Sequence, residues 1–296
     1  MKTISKEHIS YSFSPFAEPA LTVQPGECVC FETHDCYRNQ LQVASVGQTF
    51  QLEGINPVTG FVAVQGAEPG DTLKISVLAI ELDQAGSMYL RPGAGALKRY
   101  VTQPEVKKLK VSEGAVHFGK QRRIPVQPMI GVIGVAPKEK EISTLSPGPH
   151  GGNLDTREIT AGSILYFPVF VQGAKLAIGD LHAVMGDGEV AVCGVEISGR
   201  VHVKIELLKQ VTHDWPVLED ERNFYVLASA PTLDEAAQEA TESMFRFLRR
   251  RDTQLSDNDI ICLMGLTGDL RISQVVNPLK TAKFAVPKEF FHVTFQ

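Results

Sequence analysis

SPGPHGGNLDTREITAGSILYFPVFVQGAKLAIGDLHAVMGDGEVAVCGVEISGR, residues 146–200, is the stretch whose reading organises the rest of the chain. Apolar runs with strand periodicity alternate in it with glycine-rich breaks. In and around the breaks lie His150, Asn153, Asp155, Asp180, His182, Asp187, Glu189 and Glu196. Polar glycine-rich turns are the commonest way to join strands. Here they carry ligand-grade side chains in place of the usual Lys, Ser and Pro. Glycine beside such residues permits positive φ and close backbone approach, which loops need when they converge on one point.

Within this stretch, 163–171 reads as a strand, Gln172-Gly173-Ala174 as a turn, and 175–178 as the returning strand that runs on to Gly179-Asp180-Leu181-His182. If that end stays extended, Asp180 and His182 point to one side, because strand side chains alternate with period two. Further on, the β-branched residues occupy even positions at Val190 and Val192, then odd ones at Val195, Ile197, Val201, Val203 and Ile205. A parity switch at a glycine predicts a β-bulge at or next to Gly194, placing Glu189 and Glu196 on the same face.

Upstream, the pattern is of short strands and turns. Glu32-Thr33-His34-Asp35-Cys36-Tyr37 follows the strand ending at Phe31, a common place for site residues. Residues 61–83 read as a hairpin about Glu68-Pro69-Gly70-Asp71, and 86–98 as a glycine-rich mobile loop over a site. Met129 to Val135 is apolar throughout, so it is expected to be buried on both faces. Downstream the character changes. Thr232 and Glu235 form a capping box for a helix with an apolar stripe at Ala236, Ala240, Met244, Phe247 and Leu248. Ser256 caps a second helix, and strands near 270–276 and 282–286 close the chain. The expected organisation is a β-rich body over 1–215, carrying the site, with an α+β layer over 216–296 packed on it.

Composition narrows the class. The chain has 296 residues, 43% hydrophobic and 21% charged, with a net charge of −5. That is an ordinary globular balance without the basic face that nucleic acid requires. No apolar run is long enough to cross a bilayer, and the N-terminus lacks a signal-peptide core, so neither nucleic acid nor membrane is an expected partner. The five cysteines lack paired spacing and are expected to be reduced thiols of a cytoplasmic protein.

Asp, Glu and His donors with few thiolates suit a divalent metal such as zinc, with a carboxylate returning the proton of an activated water. Asn153, Asp155 and Asp187 offer hard oxygens that would also suit calcium at a second site. The 180–189 run does not fit an EF-hand loop, because His182 and Val184 fall where oxygen ligands belong. Cys36 beside His34 and Asp35 admits thiol chemistry, and Glu189 with Glu196 admits a glycosidase pair. No GxSxG elbow occurs.

PGPHGGNLDTRE, LYFPVFVQGAKLAIGDLHAVMGDGEV and GVEI, with ETHDCY upstream and DLRISQVVNP and VPKE downstream, closely resemble the acetamidase/formamidase family over nearly the whole chain. The resemblance implies a mainly β fold of several coiled, barrel-like sheets with a smaller α+β C-terminal part, assembled as a homodimer. It implies hydrolysis of short amides to carboxylate and ammonia, and functional residues at Asp35, Asn153, Asp155, Asp180, His182, Asp187, Glu189 and Glu196. The expected assignment is Asp35, Asp180, His182 and Glu196 on a zinc-type ion, with Asp155 and His150 as further ligands. Glu189, with Asp35 and Asn153, would carry the catalysis. The alternative is a non-catalytic small-molecule or metal-binding protein on the same scaffold.

Overall fold

The computed structural model describes residues 1–43 and 54–295. Two large sheets dominate. The first has nine strands, ordered Lys2–Ile4, Cys28–Thr33, Gly199–Leu208, Thr72–Leu82, Ile164–Pro168, Val217–Glu219, Asn223–Ala230, Lys280–Pro287 and Asp269–Gln274. The second has eleven. Its middle is the strand Leu176–His182, hydrogen-bonded to Met129–Gly134, Val58–Val64 and Glu196–Ile197. Ala85–Leu90 extends it beyond Glu196–Ile197, and Gly151–Asn153 beyond Met129–Gly134.

One apolar core lies between the sheets. Val29, Phe31, Ile75, Val201, Val203 and Ile205 enter it from the first sheet; Val62, Ile130, Ile133, Ile178 and Leu181 enter from the second. The odd-numbered valines of the Gly199–Leu208 strand are buried as their alternation requires. Met129–Gly134 is buried at every position, in accord with its unbroken apolar run.

The C-terminal helices form where their caps predict. Thr232 accepts from the Glu235 amide while the Glu235 carboxylate accepts from the Thr232 amide, starting Leu233–Arg251. Ser256 and Asp259 do the same for Asp257–Thr267. The apolar stripe of the first helix packs on Asn223–Ala230 and Lys280–Pro287 as a second core. These strands continue the first sheet through Val217–Glu219, which pairs with Ile164–Pro168. Among the described residues, no helix is long and apolar enough to cross a membrane.

Two expected hairpins are not hairpins. Val58–Val64 lies in the second sheet and Thr72–Leu82 in the first, so the Glu68–Asp71 turn carries the chain across the core. Likewise Ile164–Pro168 and Leu176–His182 enter different sheets, with Val169 and Ala174 of the connection buried between them. In both cases each strand already has partners on its own sheet. The expected loop at 86–98 is also half a strand: Ala85–Leu90 pairs with Glu105–Ser112 and meets Glu196 at Ser87. Gly86 is there because an added Cβ would lie 2.7 Å from Val195 Cγ1, a close strand approach in place of loop freedom.

Candidate active site

The Leu176–His182 strand delivers Asp180 and His182 to the interior of the second sheet, but not by simple alternation. Asp180 has φ of 56°, in the left-handed region. The pairing passes from Gly179–Val132 to Leu181–Ile130, leaving Asp180 and Gly131 opposed without a regular register. Gly131 is what makes room: an added Cβ would stand 2.5 Å from Asp180 Oδ2 and 2.7 Å from Asp155 Oδ1. Asp155 and Glu189 also adopt positive φ, 41° and 46°. Asp tolerates this region; Glu does so seldom, and such departures persist where the surroundings over-determine them.

The expected bulge at Gly194 is absent. Residues 189–195 are not a strand: Val192 N–H donates to Glu189 O at 2.8 Å, Val192 itself has φ of 66°, and Val190 is 51% exposed. Only Glu196–Ile197 is extended, and after Ser198 the chain changes sheets at Gly199. The parity switch therefore records a turn followed by a sheet crossing. Gly194 serves a different purpose. Its N–H donates to Glu196 Oε1 at 3.0 Å, and a Cβ there would be 2.7 Å from His182 Cγ.

The turn nonetheless brings Glu189 to the cluster. Two groups form, each with donor atoms within 4.8 Å of one another: Asp155, His182 and Glu189, and Cys36, Asp180 and Glu196. His182 joins them, its Nε2 lying 3.1 Å from Glu196 Oε1 and 3.5 Å from Asp180 Oδ1. All six residues are buried. Asp35 stands beside the second group, where Cys36 feels its charge and it feels that of Asp180. Its Oδ1 accepts from the Tyr37 and Asn39 amides at 2.9 and 2.6 Å, while Oδ2 has no partner.

Unpartnered acceptors are the distinguishing feature. Asp35 Oδ2, Asn153 Oδ1, Asp155 Oδ1, Asp180 Oδ1, Glu189 Oε2 and Glu196 Oε2 are buried without hydrogen bonds, as are both ring nitrogens of His182. Leaving one such group unpaired costs about 1–3 kcal/mol, and more when it is charged. Their proton affinities reflect the crowding. Burial and the Asp155 charge hold Glu189 well above the carboxylate range, and burial with Asp180 pushes Asp155 up to about 7. Burial opposes the protonation of His182, but the Glu196 and Asp180 charges outweigh it and raise its pKa. A divalent cation would supply the missing partner for these oxygens and reverse the penalty on the ionised acids. The donor set fits one: several carboxylates, one imidazole and one thiol within reach.

Other expected residues fall outside the two groups. His150 is buried on its own, its ring edge-on to Phe13 at 5.2 Å between centroids, and burial alone lowers its pKa to about 4. His34 is half-buried, with Lys6 and Arg38 as its charged neighbours. Asp187 is tied to Lys283 at 2.8 Å and lies 3.8 Å from Arg157. Cys36 donates its S–H to Asn56 Oδ1 at 2.6 Å, and burial pushes its thiol well above the ordinary range, the reverse of an activated nucleophile.

Asn277 was not singled out from sequence. Its side-chain amide donates to Asp155 Oδ2 at 2.6 Å and to Asn153 O at 3.1 Å, from a loop more than a hundred residues away in the chain. Ser198, which accepts from the Asp35 amide at 3.0 Å, was missed as well. A side-chain amide just before a proline, as in Asn277-Pro278, offers no local signal of a partner; Gly131, interrupting an apolar strand, did offer one.

A two-sheet β fold enclosing a carboxylate-rich, metal-type centre is the class these observations define. The sequence model described as the Acetamidase/Formamidase family matches residues 3–145 and 139–293, and the chain belongs to that family. A solved acetamidase of Bacillus halodurans is 42% identical, with a TM-score of 0.94 over 97% of this chain and 98% of that one. Over 67 residues, 22% of the chain, it is 46% identical to a formamidase of Methylophilus methylotrophus. Over 67 residues it is also 45% identical to an acetamidase of Mycolicibacterium smegmatis. The matched region is 16% of the length of each of these two relatives, so the chain spans well under two thirds of them.

Proposed function

We propose that this protein hydrolyses short-chain primary amides of the formamide and acetamide type to the carboxylate and ammonia. The observation that carries the reading is the set of unpartnered buried oxygens around His182. A zinc-type divalent ion held by Asp180, His182 and Glu196, with Asp35 and Asp155 beside them, would supply Lewis acidity to the amide carbonyl and to a water.

The remaining work falls to the chain's own groups. Amide nitrogen leaves poorly until it is protonated, so a proton must be carried to it. Glu189, within 4.8 Å of the Asp155 and His182 donor atoms and with one oxygen unpartnered, takes a proton from the attacking water and hands it to the nitrogen. As the water oxygen bonds to the carbonyl carbon, the C–N bond breaks. The second water proton leaves on ionisation of the acid, and the products are carboxylate and ammonium. Asn153 Oδ1, buried without a partner, accepts from the substrate N–H and orients it. The Gly194 N–H and the Asn277 side chain hold Glu196 and Asp155 in place.

Ammonia release from formamide and acetamide, measured with bound metal before and after chelation, tests this. Activity is expected to follow metal content and to return on adding zinc. Metal-free protein that hydrolyses as fast as the loaded form refutes the mechanism. Bound metal with no turnover on any amide leaves the binding-protein alternative.

A further inference from the structure

We propose that the acyl group of the substrate occupies an apolar cleft opening onto Glu189, so that the preferred substrates are neutral primary amides with apolar chains longer than acetyl. This rests on the hydrolase reading above and extends it to substrate class.

The acid cluster has almost no surface of its own. Asp155, His182 and Glu196 are each 1% exposed; the cluster reaches the surface at Glu189, 6% exposed, and Cys36, 8% exposed, and of these two Glu189 lines a cavity. A cavity of about 340 Å³ meets that residue, walled by Met88, Phe118, Ile124, Met185, Val190 and Val195. Gly194 also lines it, and His182 stands directly behind that glycine, where a Cβ would be 2.7 Å from the ring. The partition between cleft and cluster is thus one residue thick, and that residue has no side chain.

The chemistry of the walls selects the ligand. Among the described residues no cationic side chain lines the cavity, and its ionisable groups are Asp187, Glu189 and Cys193. An anionic substrate would find no counter-charge there and a carboxylate cluster beyond. At the rim, Ile124 and Val190 are 36% and 51% exposed, apolar surface that an acyl chain would cover. The volume lies at the lower end of pockets that hold drug-sized ligands. Formamide or acetamide would leave most of it to water.

The test is kcat/KM of the metal-loaded protein for formamide, acetamide, butyramide, hexanamide and the anionic succinamate. Each buried methylene is expected to raise kcat/KM about fourfold, which places hexanamide on the order of 10²-fold above acetamide. Succinamate should fall at least ~10-fold below butyramide, for want of a counter-charge. Phe118→Asp and, at the more exposed rim, Ile124→Asp should each lower the hexanamide-to-acetamide ratio by about tenfold, a ratio that loss of folded protein does not change. A flat or falling series, or a ratio unmoved by both substitutions, overturns the inference. Hydrolysis confined to formamide and acetamide overturns it alone; no ammonia from any amide overturns the hydrolase reading with it.

Discussion

Two groups of buried charge meet at the 186–189 turn, and they are built on opposite terms. On one side Lys283, with no exposed surface, donates to Glu158 Oε2 at 2.6 Å and to Asp187 Oδ1 at 2.8 Å. One buried cation, with Arg157 3.8 Å from each acid, answers two carboxylates that keep some contact with water. On the other side Asp155, Asp180, Glu189 and Glu196 crowd around a single imidazole, with the Asp35 charge felt next to them, each acid with an oxygen that nothing satisfies. Satisfied charge of the first kind locks a turn in place. Unsatisfied charge of the second kind is costly to stability and persists where a ligand completes it. The contrast separates Asp187 from Glu189, two acids one residue apart in spacing from the same glycine.

The sharpest break of that comparison is His182→Ala. Removing the one imidazole shared by both groups should abolish metal binding and lower kcat by about 10⁴-fold or more. Metal analysis and circular dichroism on the same sample check it; a variant that keeps stoichiometric metal would remove His182 from the centre. Next comes Glu189→Gln, which keeps shape but cannot accept a proton. Its kcat should fall by about 10²–10⁴-fold while bound metal stays near that of the parent protein. Metal loss in this variant would make Glu189 a ligand and require another shuttle.

On the satisfied side the expected effect is on folding. Lys283→Met removes the buried cation and leaves the two carboxylates with only Arg157, 3.8 Å from each. They are 13% and 33% exposed and can rehydrate in part, so the cost should lie near the lower end for broken buried pairs, about 3 kcal/mol. Denaturant titration measures it, and metal content per folded chain should be unchanged. Equal stability in the two proteins would show that the pair does not lock the turn. The smallest effect is expected at Cys36, a satisfied thiol inside the unsatisfied cluster. Cys36→Ser keeps a donor to Asn56 Oδ1 and should retain kcat within about tenfold; a fall of about 10⁴-fold with the fold intact would point to thiol chemistry.

Much of this was legible locally. The helix at Leu233–Arg251 announces itself by Thr232 and Glu235, since a capping box is settled within four residues. The buried strand Met129–Gly134 follows from its uninterrupted apolar run, and the density of Asp, Glu and His in 146–200 falls on the buried acid clusters. The two hairpin misreadings share one cause. Alternation identifies a strand without naming its partner, so Val58–Val64 with Thr72–Leu82, and Ile164–Pro168 with Leu176–His182, look like hairpins until both sheets are seen. At Gly194 a switch in parity looks like a bulge, when the chain is in fact turning and then changing sheets.

The sequence by itself determined most of the strands, where the two C-terminal helices start, and which side chains could bind a metal. Those properties depend on neighbours a few residues away. Tertiary structure alone decided which acids share a site and which are already paired. Asp180 and Glu189 reach the cluster through left-handed backbone, Asp180 beneath Gly131, and His182 stands behind Gly194. Asp187 is turned instead to a lysine about a hundred residues on, and Asn277 arrives from the far end of the first sheet to hold Asp155. Burial and charge pairing are sums over everything nearby in space, and distance along the chain carries no record of them.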